Sequence, residues 1–246
     1  MELTTLAWCL AIFSGVLIGF SKTGVPGTSL PAIAMMAMAF PDDTRQSVGV
    51  VLALVIAGDI PAVLYYRKHC DWSKILRLFP YVALGMVPAY FLLGWATNDR
   101  LRPILGGLIL GLLVLDFCRE RFQWNHLPHR HWFAILMGTL AGFATTIGNA
   151  AGPIMAIYCL TLGFHRHAFL GTFAWFFFIV NLTKVPIFAI REMITPETLL
   201  LGVELIPAVL FGATLGIYAL PKIPQTWFNR LVKLLAAAAG IVLIAR

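Results

Sequence analysis

Charged residues are scarce in this sequence, and their scarcity is the first guide to its class. Only 12% of the 246 residues are charged, while 60% are apolar. Soluble domains carry about 25% charged residues, roughly twice as many. A helix needs about 20 predominantly apolar residues to cross a bilayer, and this composition supplies many such stretches. The sequence therefore predicts an all-α polytopic membrane protein with one integral membrane domain over 1–246, and it argues against nucleic-acid binding and soluble enzyme folds.

Patterns that carry metal, disulfide or hydrolytic chemistry are also missing. The four cysteines form no CxxC pair and have neither the spacing of a zinc site nor that of a disulfide framework. HExxH, GxSxG and P-loop patterns are absent, so hydrolysis and ATP-driven transport have no residues to carry them. The opening residues, MELTTLAW, lack a basic stretch and a cleavage site, and we expect them to start the first helix. We expect no enzyme activity, no cofactor and no bound metal.

Apolar runs between charged residues divide the chain into ten helical segments. Two of these segments have about 13 residues and reach only about 20 Å, short of the roughly 30 Å hydrocarbon core. Each of the two follows a break rich in Gly, Pro, Thr or Asn, SKTGVPGTS at 21–29 or TTIGNAAGP at 145–153. The predicted segments are 3–20, 28–40, 46–66, 75–96, 101–118, 132–146, 151–163, 168–190, 198–219 and 229–245.

The two breaks belong to an internal repeat. Gly15 and Gly19 recur 123 residues later as Gly138 and Gly142, and further matching residues follow at spacings of up to 127. Because each repeat contains five segments, an odd number, the second repeat must enter the membrane inverted relative to the first. Inverted repeats with helices broken at mid-membrane are the plan of many secondary transporters. We expect repeat one at 1–122, repeat two at 130–246 and a cytoplasmic linker at 119–131.

Lysine and arginine are distributed unequally between the loops on the two sides of the membrane. One side carries eleven of these residues and the other carries five. Cytoplasmic loops are the ones enriched in Lys and Arg, so the first side is predicted to be cytoplasmic and both termini to lie outside. The sequence leaves the oligomeric state open, a homodimer included.

The two breaks are the best candidates for a binding site. Half-helices that begin near Thr28 and Ala151 would direct free N–H groups and positive dipole ends at the midplane, which favours an anion. Lys22 adds a full positive charge there, unless its side chain reaches to the cytoplasmic surface instead. The small residues of the breaks could also serve only close helix packing, as GxxxG-like spacing does. The candidate binding residues are Lys22, Thr23, Gly24, Thr28, Ser29, Thr145, Thr146, Asn149, Asn181 and Lys184.

Ionisable residues inside the predicted segments give a structural prediction. By the repeat spacing, Asp59 matches Lys184 and Arg77 matches Glu204. An unpaired intramembrane charge is costly, so we predict two ion pairs, Asp59–Arg77 and Lys184–Glu204, that stabilise adjacent helices. The alternative is that Lys184 faces the cavity and helps to bind the anion. The breaks contain no acidic residue, which favours proton-linked or potential-driven transport over a sodium site built from carboxylates.

Three tracts resemble one known family. GFATTIGNAAGPIMAIYCL at 142–160, followed by GTFAWFFFIVNLTKVP at 171–186, resembles the second-repeat signature of the TauE/SafE sulfite exporter family. GFSKTGVPGTSLPA at 19–32 resembles one branch of it, with GVPG where the commoner pattern has a glycine triplet. The resemblance implies a secondary transporter in the bacterial inner membrane for sulfite, sulfoacetate or related organosulfonates. The residues alone also leave open an intramembrane enzyme acting on a lipid-linked phosphate and an anion channel.

Overall fold

The structure is a computed structural model that describes residues 3–24, 28–122, 131–162, 164, 166–218 and 225–245. Within these ranges the chain forms eleven α-helices, a short 3₁₀ turn at Arg67–His69 and no strand. The predicted linker at 119–131 lies largely outside the described residues. The helices are α1 Thr5–Thr23, α2 Ser29–Ala39, α3 Thr44–Tyr66, α4 Trp72–Trp95, α5 Asn98–Arg121, α6 His131–Gly148, α7 Gly152–Thr161, α8 Arg166–Ile190, α9 Pro196–Glu204, α10 Ile206–Tyr218 and α11 Gln225–Ala245.

Six of these helices are long and apolar enough to cross a membrane, namely α1, α3, α4, α5, α6 and α8, and the bent pair α9 and α10 adds a seventh if it counts as one span. Helices α2 and α7 have 11 and 10 residues and are too short to span a bilayer on their own. The described residues thus confirm the prediction of an all-α polytopic membrane protein, including the two short segments that follow the breaks.

Polar side chains at helix starts explain several of the observed boundaries. Asp43 accepts a hydrogen bond from the backbone N–H of Gln46 at 3.1 Å, which caps α3. Asp71 caps α4 in the same way through the N–H of Lys74 at 3.2 Å. Such caps satisfy amides that have no partner within the helix. Helices α3 and α4 therefore begin a few residues earlier than the apolar runs alone predict.

The ninth predicted segment, 198–219, is two helices and not one. Helices α9 and α10 meet at Leu205 with a bend of 45°. Pro207 has no N–H to donate to the carbonyl one turn before it, and its ring crowds that turn, which explains a kink at this place. Pro61, Pro80 and Pro186 lie inside helices that continue through them, so the prolines alone do not predict where the chain bends.

The exterior of the protein is apolar, and the interior contains a group of polar side chains within a largely apolar core. Large apolar side chains are exposed along α4, such as Leu76, Leu84 and Phe91, and along α5, such as Val114 and Phe117. Exposed apolar area on this scale marks a surface that meets lipid or another protein. Polar side chains at the ends of α1 and α6 and in the middle of α3 and α8 are buried instead. This distribution suits a chain whose outer surface faces a bilayer.

Helices of the two halves pack on each other in a reciprocal pattern. The first segment of each half packs against the fourth segment of the other half. Helix α1 contacts α10, and α6 contacts α4. The second segment of each half contacts the fifth of the other, as α2 meets α11 and α7 meets α5. The third segments, α3 and α8, pack against each other. Such reciprocal contacts are expected of two halves related by a pseudo-twofold axis.

Glycines make the two crossings between first and fourth segments very close. A Cβ on Gly19 would lie 1.9 Å from the carbonyl oxygen of Val209, and one on Gly142 would lie 2.0 Å from that of Val82. Neither position can accept a side chain unless the backbones move apart. The packing interpretation of the GxxxG-like spacing is therefore correct for these glycines, and it leaves the polar residues of the breaks to be explained separately.

Candidate functional site: a buried polar centre between two helix breaks

The two breaks meet at one narrow cavity inside the helix bundle. Its volume is about 10 Å³, which is at the lower limit for a single water molecule. The cavity takes residues from the end of α1, the start of α2, the break between α6 and α7, the start of α7, and the facing sides of α3 and α8. Its lining residues are Ser21, Lys22, Ser29, Val55, Asn149, Gly152, Phe173 and Phe177.

Each short helix directs its N-terminus at this cavity. Ser29 is the first residue of α2 and Gly152 is the first of α7, and both line the cavity wall. Backbone N–H groups in the first turn of a helix have no acceptor within the helix, and the helix dipole makes that end partially positive. Pro31 and Pro153 lie in these first turns, where the missing N–H of a proline costs no helical hydrogen bond. Two partially positive helix ends therefore converge on one small volume.

Lys22 brings a full positive charge to the same cavity and does not reach to the surface. Its side chain is 7% exposed, and its Nζ lies 2.7 Å from Oδ1 of Asp59 on α3, whose side chain is fully buried. The ammonium also lies 4.7 Å from the centre of the Phe177 ring, a distance at which an aromatic face attracts a cation. Gly58, beside Asp59, leaves room for the aliphatic part of Lys22, because a Cβ there would lie 3.1 Å from the lysine Cγ.

Asn181 on α8 completes the cluster around Asp59. Its Nδ2 donates to Oδ2 of Asp59 at 2.6 Å, so one carboxylate oxygen faces Lys22 and the other faces Asn181. Asn181, one of the candidate binding residues, therefore does face the centre of the protein. Asp59 itself was predicted to be structural and was not among the candidate binding residues.

Lys184 lies one turn after Asn181 and holds the second break in place. It does not form part of the cavity wall. Its fully buried Nζ donates to the carbonyl oxygen of Thr145 at 3.0 Å, to Oγ1 of Thr145 at 2.9 Å and to Oδ1 of Asn149 at 2.5 Å. A lysine ammonium has three N–H donors, and these three acceptors use all of them. Lys184 is absent from the residues that line the cavity.

The two predicted ion pairs are therefore wrong. Asp59 pairs with Lys22 and not with Arg77, and Lys184 is held by neutral oxygens and not by Glu204. Arg77 and Glu204 are both exposed. The prediction searched for partners among the charges nearest in the repeat alignment, whereas the helix crossings bring α1 and the second break against α3 and α8.

The repeat alignment nevertheless explains why these contacts occur in pairs. At the spacing of 123, Lys22 corresponds to Thr145, and at the spacing of 125, Asp59 corresponds to Lys184. The Lys22–Asp59 contact of the first half thus corresponds to the Thr145–Lys184 contact of the second half. The positions are equivalent but the charges differ, so the centre is geometrically symmetric and electrostatically asymmetric.

Asn149 gives the second break its shape. Its backbone φ is 57°, a left-handed conformation that ends a helix and that Asn tolerates better than most residues. The side chain bridges two elements, because Oδ1 accepts from Lys184 while Nδ2 donates to the carbonyl oxygen of Val48 on α3 at 3.1 Å. This residue therefore ends α6, lines the cavity and ties the break to two neighbouring helices.

The hydroxyl groups of Thr23, Thr28 and Thr146 donate to backbone carbonyl oxygens, and these residues do not line the cavity. Thr23 Oγ1 donates to the carbonyl oxygen of Ala213 on α10 at 2.7 Å, and Thr146 Oγ1 donates to that of Gly142 in its own helix at 2.8 Å. Thr28 Oγ1 donates to the carbonyl oxygen of Leu17 at 3.5 Å. Gly24 follows the last residue of α1, where its N–H donates to the carbonyl of Phe20 at 2.9 Å.

Of the ten candidate residues, three line the cavity and three more lie in the hydrogen-bonded clusters around it. The first group comprises Lys22, Ser29 and Asn149, and the second comprises Thr145, Asn181 and Lys184. Sequence reasoning missed Phe173 and Phe177 as cavity walls, because aromatic residues in this tract resemble ordinary packing residues. Among the described residues, no group of three His, Cys, Asp or Glu side chains could hold a metal ion.

Two lysines and one aspartate are buried at this centre. They are Lys22, Lys184 and Asp59, and within the described part of the chain no other Lys, Arg, Asp or Glu is buried. If all three are ionised, two positive charges face one negative charge. An intramembrane charge without compensation costs about 2.5–3.5 kcal/mol near a helix centre on the insertion scale. The Lys22 ammonium and the two helix N-termini favour the same type of ligand, a small anion.

Comparison with known proteins identifies the family of this chain. A family model described as Sulfite exporter TauE/SafE matches residues 6–243, nearly the whole chain. No curated protein and no solved structure matches the chain in the corresponding searches. The match covers both breaks and every helix except the first residue of α1 and the last two of α11, and the chain is therefore a member of the TauE/SafE sulfite exporter family of membrane transporters.

Proposed function

We propose that this protein is a secondary transporter of small sulfur-containing anions, sulfite or organosulfonates such as sulfoacetate, and that the anion binds in the cavity between the two breaks. One observation carries the proposal: Lys22 lies in the wall of a cavity on which the N-termini of α2 and α7 converge. N–H groups at helix termini and a lysine ammonium are established ligands for oxyanions. The family match supports transport as the activity.

Transport by alternating access fits the narrow cavity better than a channel does. A cavity of about 10 Å³ has room for about one water molecule, so the site must widen before an anion enters. The reciprocal packing of the two halves gives the motion a mechanical basis, because one repeat can rock against the other around the central site. A channel would instead conduct without counter-transport.

We further infer the orientation from the distribution of Lys and Arg. Eleven of these residues lie in loops of one predicted side and five in loops of the other, which favours both termini on the outer side of a bacterial inner membrane.

Uptake into proteoliposomes tests the proposed function directly. Purified protein is reconstituted and offered sulfite, sulfate, sulfoacetate, zwitterionic taurine and an uncharged control of similar size. We expect saturable uptake of one or more of the anions, acceleration by unlabelled anion on the opposite side, and no uptake of the uncharged compound. Non-saturable flux without acceleration would identify a channel.

A lysine substitution then tests the site. Lys22→Ala removes the charge in the cavity wall and should abolish saturable uptake. Lys68→Ala is the matched control, because Lys68 is exposed in the turn after α3 and should leave uptake unchanged. Full activity of the Lys22→Ala variant would reject this cavity as the anion site.

A further inference from the structure

The Asp59 carboxylate already contacts Lys22, the ammonium to which a bound anion would bind. Its Oδ1 lies 2.7 Å from the lysine Nζ, and Lys22 lines the cavity while Asp59 lies behind it. In the described conformation the lysine is thus already paired with a carboxylate of the chain. An anion that binds to the same ammonium must share it with Asp59 or displace Asp59 from it.

Sharing is electrostatically unfavourable for the two negative groups. A carboxylate and an anion on one ammonium lie within a few ångströms of each other, and like charges at that distance favour protonation of one of them. Lys184 does not relieve the repulsion by direct contact, because its three donors are bound to Thr145 and Asn149. Protonation of Asp59 would remove the repulsion and release Lys22 completely to the anion.

The surroundings of Asp59 suit a group that changes its protonation state. Its second oxygen faces Asn181, and an amide can donate through its NH₂ to a carboxylate or accept through its carbonyl from a carboxylic acid. A lysine or arginine at this position could stabilise only the ionised form. The charged groups that act on Asp59 from neighbouring helices, within the described residues, are Lys22 on α1 and Lys184 on α8.

We propose that Asp59 is the proton-binding group that couples anion transport to protons. This inference rests on the proposed function, because it requires an anion at Lys22. When the anion binds, the Lys22–Asp59 contact breaks and one proton from the water on the open side bonds to the carboxylate. When the anion leaves, the proton returns to water and the contact forms again. Each anion therefore crosses the membrane together with one proton.

Proton movement during uptake of a fully ionised anion tests the inference. Sulfoacetate is the probe, because both of its acidic groups are ionised at neutral pH and it carries no proton of its own. Wild-type protein is reconstituted with a pH-sensitive dye inside the vesicles, and radiolabelled sulfoacetate and internal acidification are recorded together. We expect one proton to enter with each anion. Anion uptake without any proton movement would overturn the inference.

The Asp59→Asn variant separates coupling from binding. An amide imitates the protonated acid, so Lys22 stays available to the anion, but the empty carrier can no longer neutralise Lys22 on its return. We expect uptake driven by a pH gradient to be lost while exchange of internal for external sulfoacetate remains measurable. Glu204→Gln is the matched control, because Glu204 is exposed on α9 and should leave both activities as in the wild type.

The possible outcomes distinguish this inference from the proposed function. If the wild type transports neither sulfoacetate nor any other anion of the panel, the proposed function fails and the coupling inference fails with it. If the wild type exchanges sulfoacetate but the Asp59→Asn variant keeps accumulation driven by the pH gradient, only the coupling role of Asp59 is wrong. If the variant does not fold, the proton-to-anion ratio of the wild type alone decides.

Discussion

The Lys22–Asp59 pair should make a large contribution to stability that depends on both partners. Both side chains are buried and their charged atoms are 2.7 Å apart. Removing one partner of a buried ion pair leaves an uncompensated charge and costs about 3–5 kcal/mol. We expect Asp59→Asn near the lower end of this range, because the new amide can still bond to Asn181. We expect Lys22→Met to cost a similar amount, because it leaves the carboxylate without its cation.

Removing both charges together should destabilise the protein much less than the sum of the two single substitutions. Replacement of a whole buried pair by uncharged side chains is often close to neutral. We therefore expect the free energy of unfolding of the double variant Lys22→Met, Asp59→Asn to lie within about 2 kcal/mol of the wild-type value, since neither charge is then left uncompensated. Its transport should nevertheless be lost, because the cavity no longer contains a cation.

The measurement is a double-mutant cycle of unfolding free energies in mixed detergent micelles. The Lys233–Glu120 pair is the matched control, because its charged atoms are also 2.7 Å apart but Glu120 is about half exposed. Pairs of this kind contribute about 0–1 kcal/mol. A coupling energy at Lys22–Asp59 as small as that of the control, or strictly additive single changes, would refute the assignment of a buried, mutually dependent pair.

Three further predictions follow from other parts of the structure. Gly142→Ala should destabilise the protein by about 1–3 kcal/mol, since its Cβ would lie 2.0 Å from the carbonyl oxygen of Val82, whereas Gly107→Ala, with open space around it, should be neutral or slightly stabilising in the same unfolding assay. Lys184→Met should abolish uptake and lower thermal stability, because each lost hydrogen bond to the ammonium is worth about 1.5–3 kcal/mol; normal uptake would contradict the positioning role of Lys184. Burial raises the pKa of the Cys70 thiol to about 11, so its maleimide labelling in a variant without the other cysteines should be slow at neutral pH and rise about tenfold per pH unit up to that value, since the thiolate is the reactive form; labelling independent of pH would contradict it.

Local patterns were sufficient for the helices and for the position of the breaks. Apolar runs predicted every described helix except the division of α9 from α10, because a lipid-facing segment has to be apolar whatever its neighbours are. The breaks were visible because Gly, Pro and Asn interrupt such runs, and Asn149 does adopt the left-handed backbone that such an interruption uses. The bend at Leu205 was not visible, since prolines elsewhere in the chain lie in helices that continue.

Composition and spacing along the chain were enough to predict the class of the protein, two matching halves and the polar breaks. Which charges meet depends on how the helices pack. Asp59 and Lys22 are 37 positions apart and on different helices, and their contact depends on the crossing of α1 with α3 at Gly58. Lys184 could have faced the cavity or a carboxylate, and the packing of α8 against the second break directs it to Thr145 and Asn149 instead. Burial makes an incorrect partner costly, but the choice of partner is made by helix packing between distant segments, which the spacing of residues along one chain does not encode.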